Sequence, residues 1–354
     1  MNYCFADTNK DITTPLFYNY KLPYSGPLTK PKLLWKFNSG NYQIESRITI
    51  DEKNVIYFGS NDNHVYALNP INGKLIWKFK TNSKVKSSIV STKNDELVFT
   101  SMDGYLYTLN KDGTLKWKYN AKNSVVATPS IDKNNNIFFG DTKGYVHILN
   151  SVGDVINKFK LTTSIKHMIL TDENNNFYVN NNKQIISFKK TGSINWKFIL
   201  NGFIESSLVV HNDIILASSK NWKMYALNTK GQELWNYSTA WYLTSSPVIA
   251  NDTIYFGSWD WSIHSISLNK GEKIWSTQPE RSPVMAYFAS GIIVDKNENI
   301  FASSRTDKIY CFNKNGNVLW KLDLKSEDVL SGISLNKDGV LLIPTSQGNI
   351  YAFK

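Results

Sequence analysis

The sequence predicts an all-β protein assembled from eight copies of a four-stranded antiparallel unit. Three observations predict it. A short motif, clearest as Leu75-Ile76-Trp77-Lys78-Phe79, recurs with its marked position at 35, 77, 117, 157, 196, 235, 275 and 320, a spacing of 39 to 45 residues. A second motif, Val65-Tyr66-Ala67-Leu68-Asn69, also has eight copies, the last being Ile350-Tyr351-Ala352-Phe353. The chain stops on that last copy without its own fourth strand, whereas Leu34–Phe37 is a fourth strand with no unit before it. The economical arrangement is a ring in which residues 33–37 complete the last unit, an eight-bladed β-propeller. Such closure removes exposed sheet edges.

Taken in order, residues 1–32 fit no repeat. Pro15, Pro23, Pro27, Pro31 and scattered tyrosines read as an extended arm or lead-in, and residues 33–354 as a single propeller. The sixth unit shows the plan best, with runs at 244–249, 253–256, 263–268 and 273–275 separated by Asn251-Asp252, Trp259-Asp260 and Asn269-Lys270-Gly271. Short β-rich runs divided by Asn, Asp and Gly turns read as antiparallel meanders. No amphipathic helix of useful length occurs. Trp77 and its equivalents are large side chains at a repeated position and read as a girdle locking blade against blade. Asn157 interrupts it, so a weak seam is expected there.

Composition narrows the function classes. Apolar residues make up 42% and aromatics 14%, ample for a large core and unlike a disordered chain. Cys4 and Cys311 are too isolated in sequence to form a disulfide framework or a thiol–metal cluster. No run of apolar residues is long enough for a transmembrane helix. Met1–Asp7 lacks the basic start and apolar stretch of an intact signal peptide. A cytoplasmic protein with its own start and an exported or cell-envelope protein lacking its leader both stay open. The sequons at Asn236 and Asn251 carry little weight in so asparagine-rich a chain.

A net charge of +11 invites a nucleic-acid reading. However, Lys36, Lys78, Lys118, Lys158, Lys197 and Lys321 each follow the marked position of the fourth strand. There they blunt edge-to-edge pairing. No RNP-like or basic helical motif accompanies them, so no nucleic-acid partner is expected.

The run Tyr66-Ala67-Leu68-Asn69, then Asn72-Gly73-Lys74, then Trp77 resembles the tryptophan-docking motif of the PQQ-like (quinoprotein) β-propeller family, as do Tyr107–Trp117 and Met224–Trp235. The resemblance covers residues 33–354 and implies the propeller fold. In that family the repeated tryptophan packs against the neighbouring blade. The family includes PQQ-dependent dehydrogenases, which are larger, carry adjacent cysteines near the cofactor and hold calcium. Neither adjacent cysteines nor room for long insertions exists here, so no cofactor and no metal are expected. The length is similar to that of non-dehydrogenase members that bind other proteins, such as the propeller lipoprotein of outer-membrane protein assembly.

Other enzyme signatures are missing: there is no GxSxG elbow, no HExxH and no P-loop. His147 and His264 occupy the Tyr66 slot of a repeated strand and read as packing residues, and His64 and His211 as turn residues. His167 stands where other inner strands have Ser87, Ser206 and Ser245, and reads first as a satisfied polar core residue. The position before that serine is Glu45, Lys86, Val126, Lys166, Glu205, Thr244, Ala289 and Leu330 around the ring. Pointing inward, Lys86 and Lys166 would be drawn to Glu45 and Glu205 at a polar mouth. These are solvated ion pairs or, in an enzyme, acid–base groups joined by His167.

Four of the eleven tryptophans disobey the repeat: Trp222, Trp241, Trp259 and Trp261. All fall in loops of blades five and six, and Trp222 and Trp261 replace the turn glycine seen at Gly104, Gly144 and Gly348. The long lead-in Gln278–Ser290 brings Arg281, Met285, Tyr287 and Phe288 beside them, and Arg305 lies in the next loop. The expectation is a monomeric, non-catalytic recognition scaffold binding a peptide or protein partner through Trp222, Trp241, Trp259, Trp261, Tyr287, Arg281 and Arg305. The alternative is a PQQ-independent enzyme acting on a small molecule or modified peptide in the central funnel, using Lys86, Lys166, His167, Glu45 and Glu205.

Overall fold

The middle strands of each unit are apolar on both faces because a neighbouring sheet covers each face. In blade one, Ile56–Gly59 is buried throughout, whereas the fourth strand, Leu75–Lys80, alternates between exposed and half-buried residues. The computed structural model describes residues 20–172, 174–280, 287–305, 307–325 and 327–354. Among them there is no helix, and the strands form eight four-stranded antiparallel sheets. The protein is an eight-bladed all-β propeller. Leu33–Asn38 pairs with Asn349–Phe353 and so supplies the fourth strand of blade eight.

Two compact units divide the chain. Residues 39–199 carry blades one to four, and the described residues 20–38 and 200–354 carry blades five to eight. In each unit the core lies between successive sheets. Tyr57, Val65 and Ala67 of blade one pack on Val85, Leu97 and Phe99 of blade two. Val248 and Tyr255 of blade six likewise pack on Val294, Ile300 and Tyr310 of blade seven.

Each sheet carries one register shift beside its girdle position. In blade one Ala67 opposes Trp77 and Leu68 opposes Leu75, which leaves Ile76 as the bulged residue. A bulge bends and twists its strand. It pushes Ile76 into solvent and turns Trp77 to the next blade, where the indole Nε1 donates to Lys111 O at 2.8 Å. Gly113 in that turn has φ +88°, and a Cβ there would lie 2.6 Å from the Trp77 ring. Trp235 and Trp275 make the same bond to Leu268 O and Lys314 O.

Asn157 departs from the expected seam. Its Nδ2 donates to Lys190 O at 3.0 Å, so the amide preserves the girdle's hydrogen bond while losing the ring. Phe159 fills the space instead, against Gly192. The first strand of blade six is Val248–Ala250, shorter than the run from 244. Ser245 precedes the ladder, its Oγ donating to Gly257 O at 2.9 Å. His64 opens the strand His64–Leu68 and His211 closes Val209–His211; neither lies in a turn.

Candidate functional site

In blades one, two, three, five, six, seven and eight, a backbone clip joins the loop after the second strand to the segment entering the first. The N–H donors are Asn61, Met102, Thr142, Lys220, Trp259, Arg305 and Ser346, and the acceptors are Gln43, Lys84, Ser124, Phe203, Tyr242, Tyr287 and Asp328. The clip puts both loops on one face of each blade, and in three blades the loop side chain reaches the inner position two residues past the acceptor. Asn61 Nδ2 donates to Glu45 Oε1 at 2.7 Å, Lys220 Nζ lies 2.7 Å from Glu205 Oε1, and Trp259 Nε1 donates to Thr244 Oγ1 at 2.8 Å.

Among blades one to four, Lys86 Nζ pairs with Glu45 at 3.0 Å. Lys166 is exposed and makes no ion pair among the described residues, and His167 is half-buried in the serine slot. In that slot Ser87 Oγ donates to Thr100 O and accepts from Thr100 N, both at 3.0 Å. In the other unit Glu205 takes Lys220, a residue the sequence reading missed. Lys220 occupies the loop position of Asn61 and Trp259, so aligning that loop column would have found it.

The irregular tryptophans separate into two groups. Trp222 and Trp241 stack at 6.1 Å with planes 11° apart, yet remain 47% and 49% exposed. Trp261 is 41% exposed and makes no ring contact among the described residues. Trp222 and Trp261 have φ of +72° and +66°, close to the +88°, +84° and +76° of Gly104, Gly144 and Gly348. A bulky residue there is a genuine outlier, costing roughly 1–2 kcal/mol.

Trp259 instead is half-buried. It stacks on Tyr287 at 3.9 Å and meets the edge of Tyr242 at 5.6 Å. The Arg305 guanidinium lies 5.9 Å over the Tyr287 ring. Phe288 is core, 1% exposed. Arg281 and Met285 lie outside the described residues.

Trp259 forms one wall of a cavity of about 140 Å³ among blades five to eight. Glu205, Thr244, Ala289 and Leu330, the inner positions of those blades, line it together with Ser290, Val329 and Arg305. Among the described residues no group of three or more His, Cys, Asp or Glu side chains is placed to hold a metal ion. No helix among them is long and apolar enough to cross a membrane.

Comparison with solved structures finds the same fold at low identity. The computationally designed Ika8 protein superposes with a TM-score of 0.77 at 13% identity, covering 91% of this chain and 99% of its own. Sqt1 of Saccharomyces cerevisiae gives 0.75 at 14% identity, covering 92% and 99%. BamB from Moraxella catarrhalis gives 0.50 at 14% identity, covering 91% and 85%. No curated protein matches the sequence. The PQQ-like repeat model described as outer membrane protein assembly factor BamB matches residues 29–168, 142–304 and 260–354. Those spans run through all eight blades, and the chain belongs to that family.

Proposed function

We propose that the protein is a non-catalytic recognition propeller that binds a peptide or protein partner on the aromatic face of blades five to seven. One observation carries this reading: Trp222 and Trp261 keep a strained backbone, φ +72° and +66°, while leaving their rings 47% and 41% in solvent. Strain without burial is a cost to folding, and strained positions cluster where function over-determines them. Exposed indoles are also among the side chains that dominate protein interfaces. Membership of a family named for an assembly factor supports a partner rather than a substrate. An acid–base role for Glu45, Lys86 and Glu205 draws no support, because Glu45 pairs with Lys86 and Glu205 with Lys220.

The test uses short random peptides displayed internally on phage, with neither peptide end free. They are panned against the full chain and against a Trp222→Gly/Trp261→Gly variant, in which glycine suits the turn. The expected result is a set of peptides that bind the wild type and lose at least tenfold on the variant. Equal binding to both proteins would discard the reading.

A further inference from the structure

We propose that the edge strands of blades two and three dock the protein on an anionic lipid surface. This surface lies in other blades than the exposed indoles and goes beyond the recognition reading. Its mark is a lopsided placement of lysine. The fourth strands of blades one to four, Leu75–Lys80, Leu115–Asn120, Val155–Lys160 and Ile194–Ile199, hold seven lysines and no acidic residue. Those of blades five to eight, Glu233–Ser238, Lys273–Thr277, Val318–Asp323 and Leu33–Asn38, hold three lysines and two acids.

Pairing widens the difference. Lys36 pairs with Glu327 and Lys321 with Glu280, which leaves only Lys273 in the second set. In the first set Lys116 pairs with Glu96. Lys78, Lys80, Lys118, Lys158, Lys160 and Lys197 are exposed and make no ion pair among the described residues. Blunting a sheet edge takes one charge per strand and gains nothing from second lysines such as Lys80 and Lys160.

Blades two and three are neighbours, and there rings fix the unpaired heads. Lys118 Nζ lies 4.8 Å over the Tyr105 ring. Lys158 and Lys160, alternating on one face of their strand, lie 5.2 and 5.7 Å over Tyr145. Asp112 and Asp154, in the turns before these strands, accept from Thr114 and Asn150 instead. Leu115, Val155 and Ile156 stand exposed on the same strands as the lysines.

That mixture selects the partner. Lysine is a hydrated point charge, suited to a diffuse field of headgroups rather than to one bidentate anion. Protein interfaces are depleted in lysine, and a nucleic-acid interface would set Val155 and Ile156 against phosphates. The headgroup boundary of an anionic bilayer takes both, with the charge outside and the apolar side chains beneath. Contact stops at that depth, because the unpaired backbone of an edge strand needs water.

The test is co-sedimentation of the intact protein with vesicles of phosphatidylcholine alone and of phosphatidylcholine and phosphatidylglycerol in equal parts. Binding is expected on the anionic vesicles only, falling as salt is raised. A Lys118→Gln/Lys158→Gln/Lys160→Gln variant should bind about a hundredfold more weakly, at about fivefold per lysine. Lys230→Gln/Lys273→Gln/Lys314→Gln removes the same charge from exposed positions of blades five to seven and should bind as the wild type does. Ile156→Ser should weaken vesicle binding severalfold. Equal binding to both vesicles, equal losses in the two triple variants, an undiminished Ile156→Ser variant, or tighter binding to duplex DNA or polyglutamate at matched charge would overturn the proposal. The indole-dependent peptides report on other blades, so failure here leaves the recognition reading standing, and its failure leaves this one.

Discussion

The indole Nε1 of Trp320 donates to the carbonyl of Pro27 at 2.9 Å, across 293 positions of chain. Trp77, Trp235 and Trp275 bond the turn before the next blade's fourth strand. Blade eight takes its fourth strand from Leu33–Asn38, so it has no such turn, and the lead-in supplies the missing carbonyl. The same lead-in is tied down by Leu22 N to Val294 O, Lys296 N to Tyr24 O and Gly26 N to Asp295 Oδ2.

Gly26 is where that lead-in is tightest. A Cβ there would lie 2.3 Å from Phe301 Cζ, a ring that is fully buried. Gly26→Ala is therefore expected to destabilise by about 1–3 kcal/mol, as overpacking does. Denaturant unfolding checks this, and Phe301→Leu in the same chain should recover part of the loss.

The girdle predicts an ordering of costs. Trp77→Ala removes a ring and a hydrogen bond and should cost about 3 kcal/mol. Asn157→Ala removes the bond to Lys190 O and an exposed one from Lys158 N–H, but no ring, and should cost about 1 kcal/mol. Thermal unfolding of the two variants side by side measures the difference. Equal losses would mean that Phe159 does not stand in for the missing indole.

Trp261 predicts a trade between stability and binding. Trp261→Gly removes an exposed ring from a backbone at φ +66°. It should unfold at the same or a higher temperature, gaining up to about 1–2 kcal/mol, while binding peptides more weakly. A marked fall in stability would show that the indole is packed in solution.

Acid should loosen blade three. Asp141 Oδ2 lies 3.1 Å from His147 Nε2, both side chains fully buried, and His147 Nδ1 lies 3.2 Å from Tyr119 OH. Burial pushes the Asp141 carboxyl up. Bonds from His147, Asn123 and the N–H groups of Tyr145 and Lys143 outweigh burial and hold it at about 2, below its ordinary 3.8. A depressed folded value means that the carboxylate's contribution is complete above the ordinary value and is lost as pH falls from there through about 2. Asp141→Asn should lower stability at neutral pH and flatten the acid limb of an unfolding-midpoint-versus-pH curve between about 4 and 2.

Local chemistry made the blade plan legible. Alternation, turn residues and a fixed period are properties of neighbouring residues, so eight units and the borrowed strand at 33–37 could be counted directly. The bulge beside every girdle position was not legible. The bulged residue is Leu or Ile in six blades and Lys116 or Asn195 in the other two, types that an unbulged strand carries as readily, and a register shift belongs to a pair of strands. The acceptor for Trp320 was hidden for the same reason, since Pro27 and Trp320 meet only when the ends of the chain are joined.

Of the candidate site, the sequence determined which residues break the repeat: the four irregular tryptophans, Arg305, and Trp222 and Trp261 in glycine's place. Tertiary structure alone decided their separate fates. Trp259 went inward onto Tyr287 because the backbone clip to Tyr242 aims its side chain at Thr244, whereas Trp222, Trp241 and Trp261 stayed in solvent. It likewise gave Glu205 to Lys220 and set the Arg305 guanidinium over the Tyr287 ring at the cavity. Residue types announce an irregularity, but pairing and exposure depend on distances between residues far apart in sequence, and those exist only once the blades have packed.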